Sequence, residues 1–222
     1  MRVPCILISA LLVSFPAPAQ IPARSDSIVV TGTWEPLNLD ELDRSVTVLP
    51  LRAYALLLNS WMDALRLDAS LDLGERAPNG VQSDVSIRGA SFGQTLVLLN
   101  GIRINDAQSG HHNMDVPVPP EGIARVEVLR GSGSTMYGSD AVGGVINVIT
   151  DPPESSEFRL RTAAGNFGVN QERGSLSLVH SNLAEQIAFS RDFSSGFRPD
   201  RDYRNLAIDS STHWLLPSAR AM

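Results

Sequence analysis

The sequence predicts an α+β domain with a mixed β-sheet and short helices, followed by a run of antiparallel β-strands. Between about residues 45 and 151, apolar runs of strand length surround one stretch of helical periodicity. The pair Asn100 and Gly101 separates two of these runs and predicts a tight hairpin turn. Beyond Pro152, short alternating segments separated by turn residues predict further hairpins, which suit an outer-membrane barrel or a soluble sandwich.

The N-terminus predicts an export signal over residues 1–19. Arg2 precedes the apolar segment CILISALLVSF, and the small residues APA that follow it form a cleavage site. The mature chain would then begin at Gln20. Cys5, the one cysteine in the sequence, lies inside this signal, so the mature protein would contain no cysteine for thiol catalysis or metal binding.

The elements of the domain follow the signal in order. Residues 20–44 are polar and are expected to be disordered, although the β-branched run Ser27–Gly32 could pair with a partner as an added strand. Residues 45–50 alternate as a strand, and apolar residues then recur at helical spacing from Arg52 to Leu67, with Trp61 in the core. Further strands are predicted over residues 84–89, 95–105, 124–131 and 144–151.

The glycine-rich stretch RGSGSTMYGSDAVGG, residues 130–144, raises the possibility of a phosphate-binding loop. Gly133 and Gly138 have the spacing of the nucleotide motif, but Ser139 and Asp140 stand where that motif has its lysine and hydroxyl residue. All 18 basic residues of the chain are arginine. The stretch is therefore interpreted as a turn rather than a nucleotide site.

Charge and motif content exclude several other functions. The net charge is −6 and no arginine cluster is present, which argues against nucleic acid as a partner. The sequence contains no nucleophile elbow, no zinc-protease motif and no paired carboxylates at a persuasive spacing, so neither an enzyme nor a cofactor is predicted. His111 and His112 lack an obvious third ligand, and no metal site is predicted.

The chain resembles the N-terminal part of a TonB-dependent outer-membrane receptor, most like the cobalamin and siderophore types. The resemblance rests on SIVVTG, NGVQSDVSIRGASFGQTLVLLNGIRIND and GHHNMDVPVPPEGIARVEVLRGSGSTMYGSDAVGGVINVIT, within residues 26–151. It implies a TonB box inside residues 20–44 and a plug domain over residues 45–151 that sits within a barrel of about 22 strands. Residues 152–222 would then be the first antiparallel strands of a truncated outer-membrane β-barrel, and the chain is expected to be a fragment.

The resemblance also implies roles for individual residues. The predicted TonB box comprises Ser27, Ile28, Val29, Val30, Thr31 and Gly32. The predicted substrate-contact loops contain Ser91, Phe92, Gly93, Gln94, Gln108, His111, His112 and Asn113. The predicted plug-to-barrel charge pairs involve Arg88, Glu127 and Arg130. The predicted structural turns use Asn100, Gly101, Gly131, Gly133, Tyr137, Gly138, Gly143 and Gly144, with Tyr137 as an apolar anchor.

Two of these assignments leave alternatives open. The histidine loop could contact substrate, bind a metal or be solvated, and the charged residues could be solvated strand charges. The implied function is energy-coupled uptake of a scarce nutrient, such as an iron-siderophore or cobalamin, through a pore gated by the plug. TonB, the inner-membrane energy-coupling protein, would be the partner, and the outer membrane of a Gram-negative bacterium the location. The alternative is a soluble periplasmic ligand-binding or interaction module built on an isolated plug domain.

Overall fold

The structure, a computed structural model, describes residues 28–29, 31, 35, 37–77 and 81–214. The predicted signal peptide, and Ser27, Val30 and Gly32 of the predicted TonB box, lie outside these residues. The strands are β1 (Ile28–Val29), β2 (Leu37–Asn38), β3 (Val46–Pro50), β4 (Leu71–Ala77), β5 (Val81–Ile87), β6 (Thr95–Leu99), β7 (Ile102–Arg103), β8 (Arg125–Arg130), β9 (Gly144–Ile149), β10 (Glu157–Ala164), β11 (Asn170–His180), β12 (Leu183–Ser194) and β13 (Tyr203–Trp214).

The helices are short. One α-helix, α1, is described and covers Ser134–Tyr137. The 3₁₀ helices cover Leu39–Glu41, Leu51–Tyr54, Trp61–Leu67, Phe92–Gln94, Gly110–His112, Pro120–Gly122, Ser139–Ala141 and Asn166–Gly168. None of the helices in the described ranges has the length and apolar content needed to cross a bilayer.

A mixed sheet with strand order β3-β8-β9-β6-β7 forms the centre of the fold and is called the central sheet below. Strands β6 and β9 run parallel, and the other neighbours run antiparallel. Side chains of β8 alternate between two apolar clusters, because successive strand residues point to opposite faces. Val126 and Val128 pack with Trp61 in one cluster, while Leu129 packs with Val145 in the other. The predicted mixed α+β fold is confirmed.

The predicted hairpin between two apolar runs is also confirmed. Strands β6 and β7 pair antiparallel across Asn100 and Gly101, whose φ angles are 51° and 81°. Strand β4 was not predicted from the sequence, although it pairs with β5 along nearly its whole length. Gly74 and the charged residues around it conceal the strand in LDLGERA, because glycine and charge are depleted in strands.

The predicted continuous helix from Arg52 to Leu67 is wrong. Two 3₁₀ segments replace it, separated by residues 55–60, and Ser60 at the end of this interval has an extended backbone with ψ of 163°. Ser60 and Asp63 form a capping box that starts the second segment, so the chain begins a new helix there. Leu56 is consequently 88% exposed, whereas Trp61 is buried as predicted.

Residues 20–44, before the central sheet, are predicted to be disordered. At the positions that the structure describes, this segment is instead ordered. Strand β1 pairs antiparallel with β2, with Val29 opposite Leu37. Leu39 and Leu42 pack against the cluster around Leu129, and Thr31 is fully buried. These contacts supply the burial that composition alone did not indicate.

The glycine-rich stretch turns the chain between the central strands β8 and β9, as the sequence predicts. Gly131 and Gly138 have φ angles of 92° and 89°, which strongly favour glycine. A side chain at Gly144 would overlap the carbonyl oxygen of Leu129 on the neighbouring strand. Tyr137, at the end of α1, packs on the cluster around Leu129.

The strands after residue 152 form an antiparallel sheet with the order β10-β11-β12-β13, called the C-terminal sheet below. The last two short segments predicted from the sequence merge into β13, so the described strands contain 8, 11, 12 and 12 residues. Most of them reach the length of about 9–11 residues that a strand needs to cross a bilayer. Among the described residues this sheet does not close on itself.

The two faces of the C-terminal sheet have opposite polarity. The face against the central domain carries mostly polar and small side chains, among them Gln171, Arg173, Ser175, Ser177, Ala184, Gln186, Ala188, Ser190, Asp192 and Ser194. The opposite face exposes large apolar side chains: Phe158, Leu160, Leu176, Leu178, Ile187, Phe189, Leu206, Ile208 and Trp214. Apolar side chains outside and polar ones inside are typical of a membrane barrel wall.

Candidate functional site

Residues 106–115, called the second loop here, follow β7 and carry four of the predicted substrate-contact residues. Asp106 fixes the start of this loop, because its carboxylate accepts the backbone N–H groups of Gln108 and Ser109 at 2.6 and 3.2 Å. These hydrogen bonds hold the pKa of Asp106 below its usual value. Asn113 is buried, and its side-chain oxygen accepts the backbone N–H of Asp106. Asn113 therefore supports the loop.

His111 connects the second loop to two other elements. Its Nδ1 lies 2.8 Å from the Asp84 carboxylate on β5, and its ring stacks on Phe92 with the ring centroids 4.5 Å apart. Phe92 belongs to residues 90–94, called the first loop here, which contains the other predicted contact residues. His111 thus joins the two predicted ligand loops to each other and to β5.

The first loop is held by its own capping interactions. The side-chain oxygen of Gln94 accepts the backbone N–H of Ser91 at 3.1 Å. This bond belongs to a capping box at the start of the 3₁₀ helix Phe92–Gln94. Ser91, Gly93 and Gln94 nevertheless remain exposed.

His112 lies at a cavity between the second loop and the C-terminal sheet. Its Nδ1 is 3.0 Å from the Asp115 carboxylate, and its side chain is 52% exposed. The cavity has a volume of about 650 Å³, within the usual range for small-molecule sites. It is also lined by Asp115, Arg173, Asp192 and Tyr203. The two adjacent histidines therefore have different surroundings. His111 connects the two loops, whereas His112 borders the cavity.

Thr31, within the predicted TonB box, contacts the central sheet through two hydrogen bonds. Its backbone N–H donates to the Glu127 carboxylate at 2.9 Å, and its hydroxyl accepts from the Asn147 side-chain amide at 2.9 Å. Thr31, Glu127 and Asn147 are all fully buried. Asn147 was not singled out from the sequence, although an asparagine inside the apolar run VINVIT is a visible signal.

The residues predicted to form plug-to-barrel charge pairs make contacts of their own within the described part of the chain. Glu127 faces Thr31 and accepts from Arg125 Nε at 2.9 Å, so its contacts include the N-terminal segment. Arg130 lies 3.6 Å from Asp68 within the central domain. Arg88 is exposed, with a φ of 52°. The pairing of Arg88 and Arg130 with barrel carboxylates stays a prediction, and the contacts described here lie within the central domain and the N-terminal segment.

Different residues join the central domain to the C-terminal sheet. Arg161 donates to the carbonyl oxygens of Ala55 and Leu58 at 2.8 and 2.7 Å. Arg173, 1% exposed, donates to the carbonyl oxygen of Asn59 and holds Asp192 with hydrogen bonds of 2.9 to 3.1 Å. The arginines come from the strands and the acceptors from the irregular segment between the two 3₁₀ helices. Sequence reasoning missed this contact because it predicted a continuous helix there.

Glu121 lies beside this arginine cluster, and one of its carboxylate oxygens is buried without a hydrogen-bond partner. Burial raises the pKa of Glu121, and the nearby Arg173 and Arg161 only partly oppose the effect. A raised pKa in the folded state means that the ionised carboxylate destabilises the fold above that pKa.

Glu121→Gln should therefore raise the melting temperature at pH 7. The gain should shrink as the pH falls through the folded-state pKa and vanish below the ordinary glutamate value of about 4.3. Thermal unfolding from pH 4 to pH 8 measures the effect. Glu185→Gln, an exposed glutamate on β12, is the matched control. An equal change in both variants at every pH would contradict the assignment.

Within the described ranges, histidine, cysteine, aspartate and glutamate side chains do not gather in groups of three or more that could hold a metal ion. The polar groups form three features instead: the Thr31 contact, the paired loops with their cavity, and the arginine cluster, whose Arg173 and Asp192 also line that cavity. Each is a site for hydrogen bonding and charge pairing.

Comparison with known proteins identifies the central domain. The family model described as TonB-dependent Receptor Plug Domain matches residues 38–145. The vitamin B12 transporter BtuB of Vibrio vulnificus strain CMCP6 is 38% identical over 140 residues, which is 63% of this chain and 23% of that protein. The vitamin B12 transporter BtuB of Photobacterium profundum is 33% identical over 149 residues, or 61% of this chain and 24% of that protein.

Solved structures extend the likeness beyond the matched domain. The ferripyoverdine receptor of the Pseudomonas aeruginosa outer membrane has a TM-score of 0.70 at 18% identity, and the match covers 86% of this chain and 26% of the receptor chain. The siderophore receptor PiuA of Acinetobacter baumannii has a TM-score of 0.59 at 25% identity, and the match covers 82% of this chain and 25% of PiuA. The chain thus spans about a quarter of these proteins. Residues 38–145 are thus a TonB-dependent receptor plug domain, and the chain is similar to cobalamin and siderophore receptors.

Proposed function

We propose that this chain is part of an outer-membrane receptor that takes up a scarce metal chelate, with TonB as its energy-coupling partner. The observation that carries the proposal is the pairing of a plug domain with a sheet whose polar face contacts the plug. In this arrangement the plug fills the space that a barrel wall encloses, and it must move or rearrange before a ligand passes. Cobalamin is the first candidate ligand, because a 38% identical relative is named a vitamin B12 transporter. Ferric siderophores are the second, because receptors for them share the fold.

The outer face of the C-terminal sheet supports a location in the outer membrane. Phe158, Leu176, Ile187 and Leu206 on that face are each at least 40% exposed, and they are contributed by four successive strands. In water such a continuous apolar surface would favour aggregation. Embedded in lipid, it would instead match the hydrocarbon, and the polar inner face would lie away from it.

Binding measurements on the purified full-length receptor test the ligand class. Cyanocobalamin and a ferric siderophore are titrated separately, and the apo-siderophore serves as the control ligand. The proposal predicts saturable binding of one metal-containing ligand and weaker binding of the control. No saturable binding of either metal chelate would overturn the proposed substrate class.

His112→Ala should weaken binding of that ligand by about tenfold, because His112 borders the cavity and is half exposed. A tenfold loss corresponds to about 1.4 kcal/mol, in the range of one ordinary hydrogen bond. His180→Ala, an exposed histidine at the end of β11, is the control. Unchanged affinity in His112→Ala would return this histidine to a solvated-loop role.

The alternative, a soluble periplasmic module, is distinguished from a receptor by cell fractionation. A receptor would sediment with the outer membrane after fractionation, and a soluble module would remain in the periplasmic extract. The exposed apolar face of the C-terminal sheet favours the receptor.

A further inference from the structure

The first and second loops contact each other, and His111 is the residue through which they meet. Its ring stacks on Phe92 of the first loop, with an angle of 28° between the ring planes. The Phe92 ring also packs closely on the backbone of the second loop, because a Cβ atom added at Gly110 would lie 3.0 Å from two of its carbons. Phe92 and His111 are both only partly exposed. The two loops are therefore joined by direct packing.

Asp84 anchors His111 to the interior of the central domain. An ionised carboxylate can only accept hydrogen bonds, so the His111 Nδ1 atom, 2.8 Å from Asp84 Oδ1, carries the hydrogen and donates it. Asp84 lies within β5 between Ser83 and Val85, which are both buried. A residue on a packed strand has a better defined position than a residue on a loop. His111 is thus held by a rigid element, and Phe92 is held through His111.

The first loop has a second attachment, at the glycine-rich stretch. The backbone N–H of Gly143 donates to the carbonyl oxygen of Gln94 at 2.9 Å. A Cβ atom at Gly143 would overlap the side chain of Ala90, so this close approach requires glycine. The exposed residues Ser91 and Gly93 therefore belong to a loop that is held both at its end and through the Phe92 ring.

We propose that Asp84, His111 and Phe92 form a clasp that sets the spacing of the two loops, and that they act as positioning residues for ligand binding. A ligand that touches two independent loops must restrict the motion of both, which lowers its affinity. The clasp restricts the loops before the ligand arrives. This effect on affinity rests on the proposed function, because it assumes that the loops contact the ligand. The spacing of the loops does not depend on that assumption.

Spin labels at Gly93→Cys and Ala107→Cys measure the spacing of the loops in the purified full-length receptor without ligand. Dipolar coupling between the labels should give a narrow distance distribution. His111→Ala should broaden this distribution about twofold, because it removes both the ring contact and the bond to Asp84.

His112→Ala is the matched control for the spacing measurement. The partner of His112 is Asp115, three residues later in the same loop, so this variant should leave the distribution unchanged. A distribution that stays narrow in His111→Ala, or that broadens equally in both variants, would overturn the clasp.

Asp84→Ala distinguishes positioning from direct contact with the ligand, because Asp84 lies in β5 and in neither loop. His111→Phe removes the same hydrogen bond but keeps an aromatic ring to stack on Phe92. Each variant should weaken binding of the chelate that the unmodified receptor binds, cyanocobalamin or the ferric siderophore, about fivefold. The double variant should bind no more weakly than either single variant, since both changes break one interaction.

Unchanged affinity in Asp84→Ala, or losses that add in the double variant, would overturn the positioning role. An unmodified receptor that binds neither chelate would contradict the proposed function instead, and the label distances would still decide whether the clasp sets the spacing of the loops.

Discussion

Val29→Pro should reduce energised uptake to the level of cells without the receptor, a loss of at least about tenfold, and leave ligand binding unchanged. Val29 lies in β1, inside the predicted TonB box. If the partner binds this segment as an added strand, main-chain hydrogen bonds supply most of the affinity. Proline removes one N–H donor and fixes φ, so it prevents this pairing.

Val29→Ala is the control for this variant, because it shortens the side chain and keeps the N–H group. Uptake of labelled ligand by intact cells and equilibrium binding on isolated membranes are measured side by side. Normal uptake by Val29→Pro would make the segment an ordinary linker. Loss of uptake in both variants would assign the effect to the side chain instead of the backbone.

Arg173→Ala should destabilise the receptor by about 3–5 kcal/mol, since it leaves the buried Asp192 carboxylate without its partner. Arg173 is 1% exposed and is also hydrogen-bonded to the carbonyl oxygen of Asn59 on the plug. The variant therefore loses both an ion pair inside the sheet and a contact between sheet and plug. Denaturant unfolding of the purified receptor measures the change.

Arg191→Ala is the matched control on the same two strands. Arg191 pairs with Glu172 at 3.3 Å, but these side chains are 38% and 48% exposed. Such a pair contributes about 0–1 kcal/mol. Equal destabilisation by the two variants would show that the buried cluster is no stronger than a surface pair, contrary to the structure.

The sequence predicts the strands of the central sheet well, because their apolar runs and turn residues are local signals. The Asn100 and Gly101 turn and the glycine-rich connection between β8 and β9 are examples, since both need φ angles that these residues favour. The resemblance to a known family adds the identity of the domain, which local patterns do not contain.

Features that depend on distant contacts were not predictable in the same way. Leu56 and Leu57 fit a helical core face by spacing, yet a capping box at Ser60 ends that pattern and leaves both exposed. Glu127 alternates with apolar residues along its strand, which does not indicate its partner. That partner, Thr31, lies 96 residues earlier in the chain. Arg173 and Asn59 are similarly remote, and neither residue carries a motif.

Accumulation of labelled cyanocobalamin or ferric siderophore by intact cells measures energy-coupled uptake itself. Cells that express the full-length receptor are compared with cells lacking it and with receptor-bearing cells lacking TonB. We expect accumulation of one metal chelate, and this accumulation should require both the receptor and TonB. Accumulation that is the same in all three strains, or that persists without TonB, would contradict an energy-coupled uptake receptor.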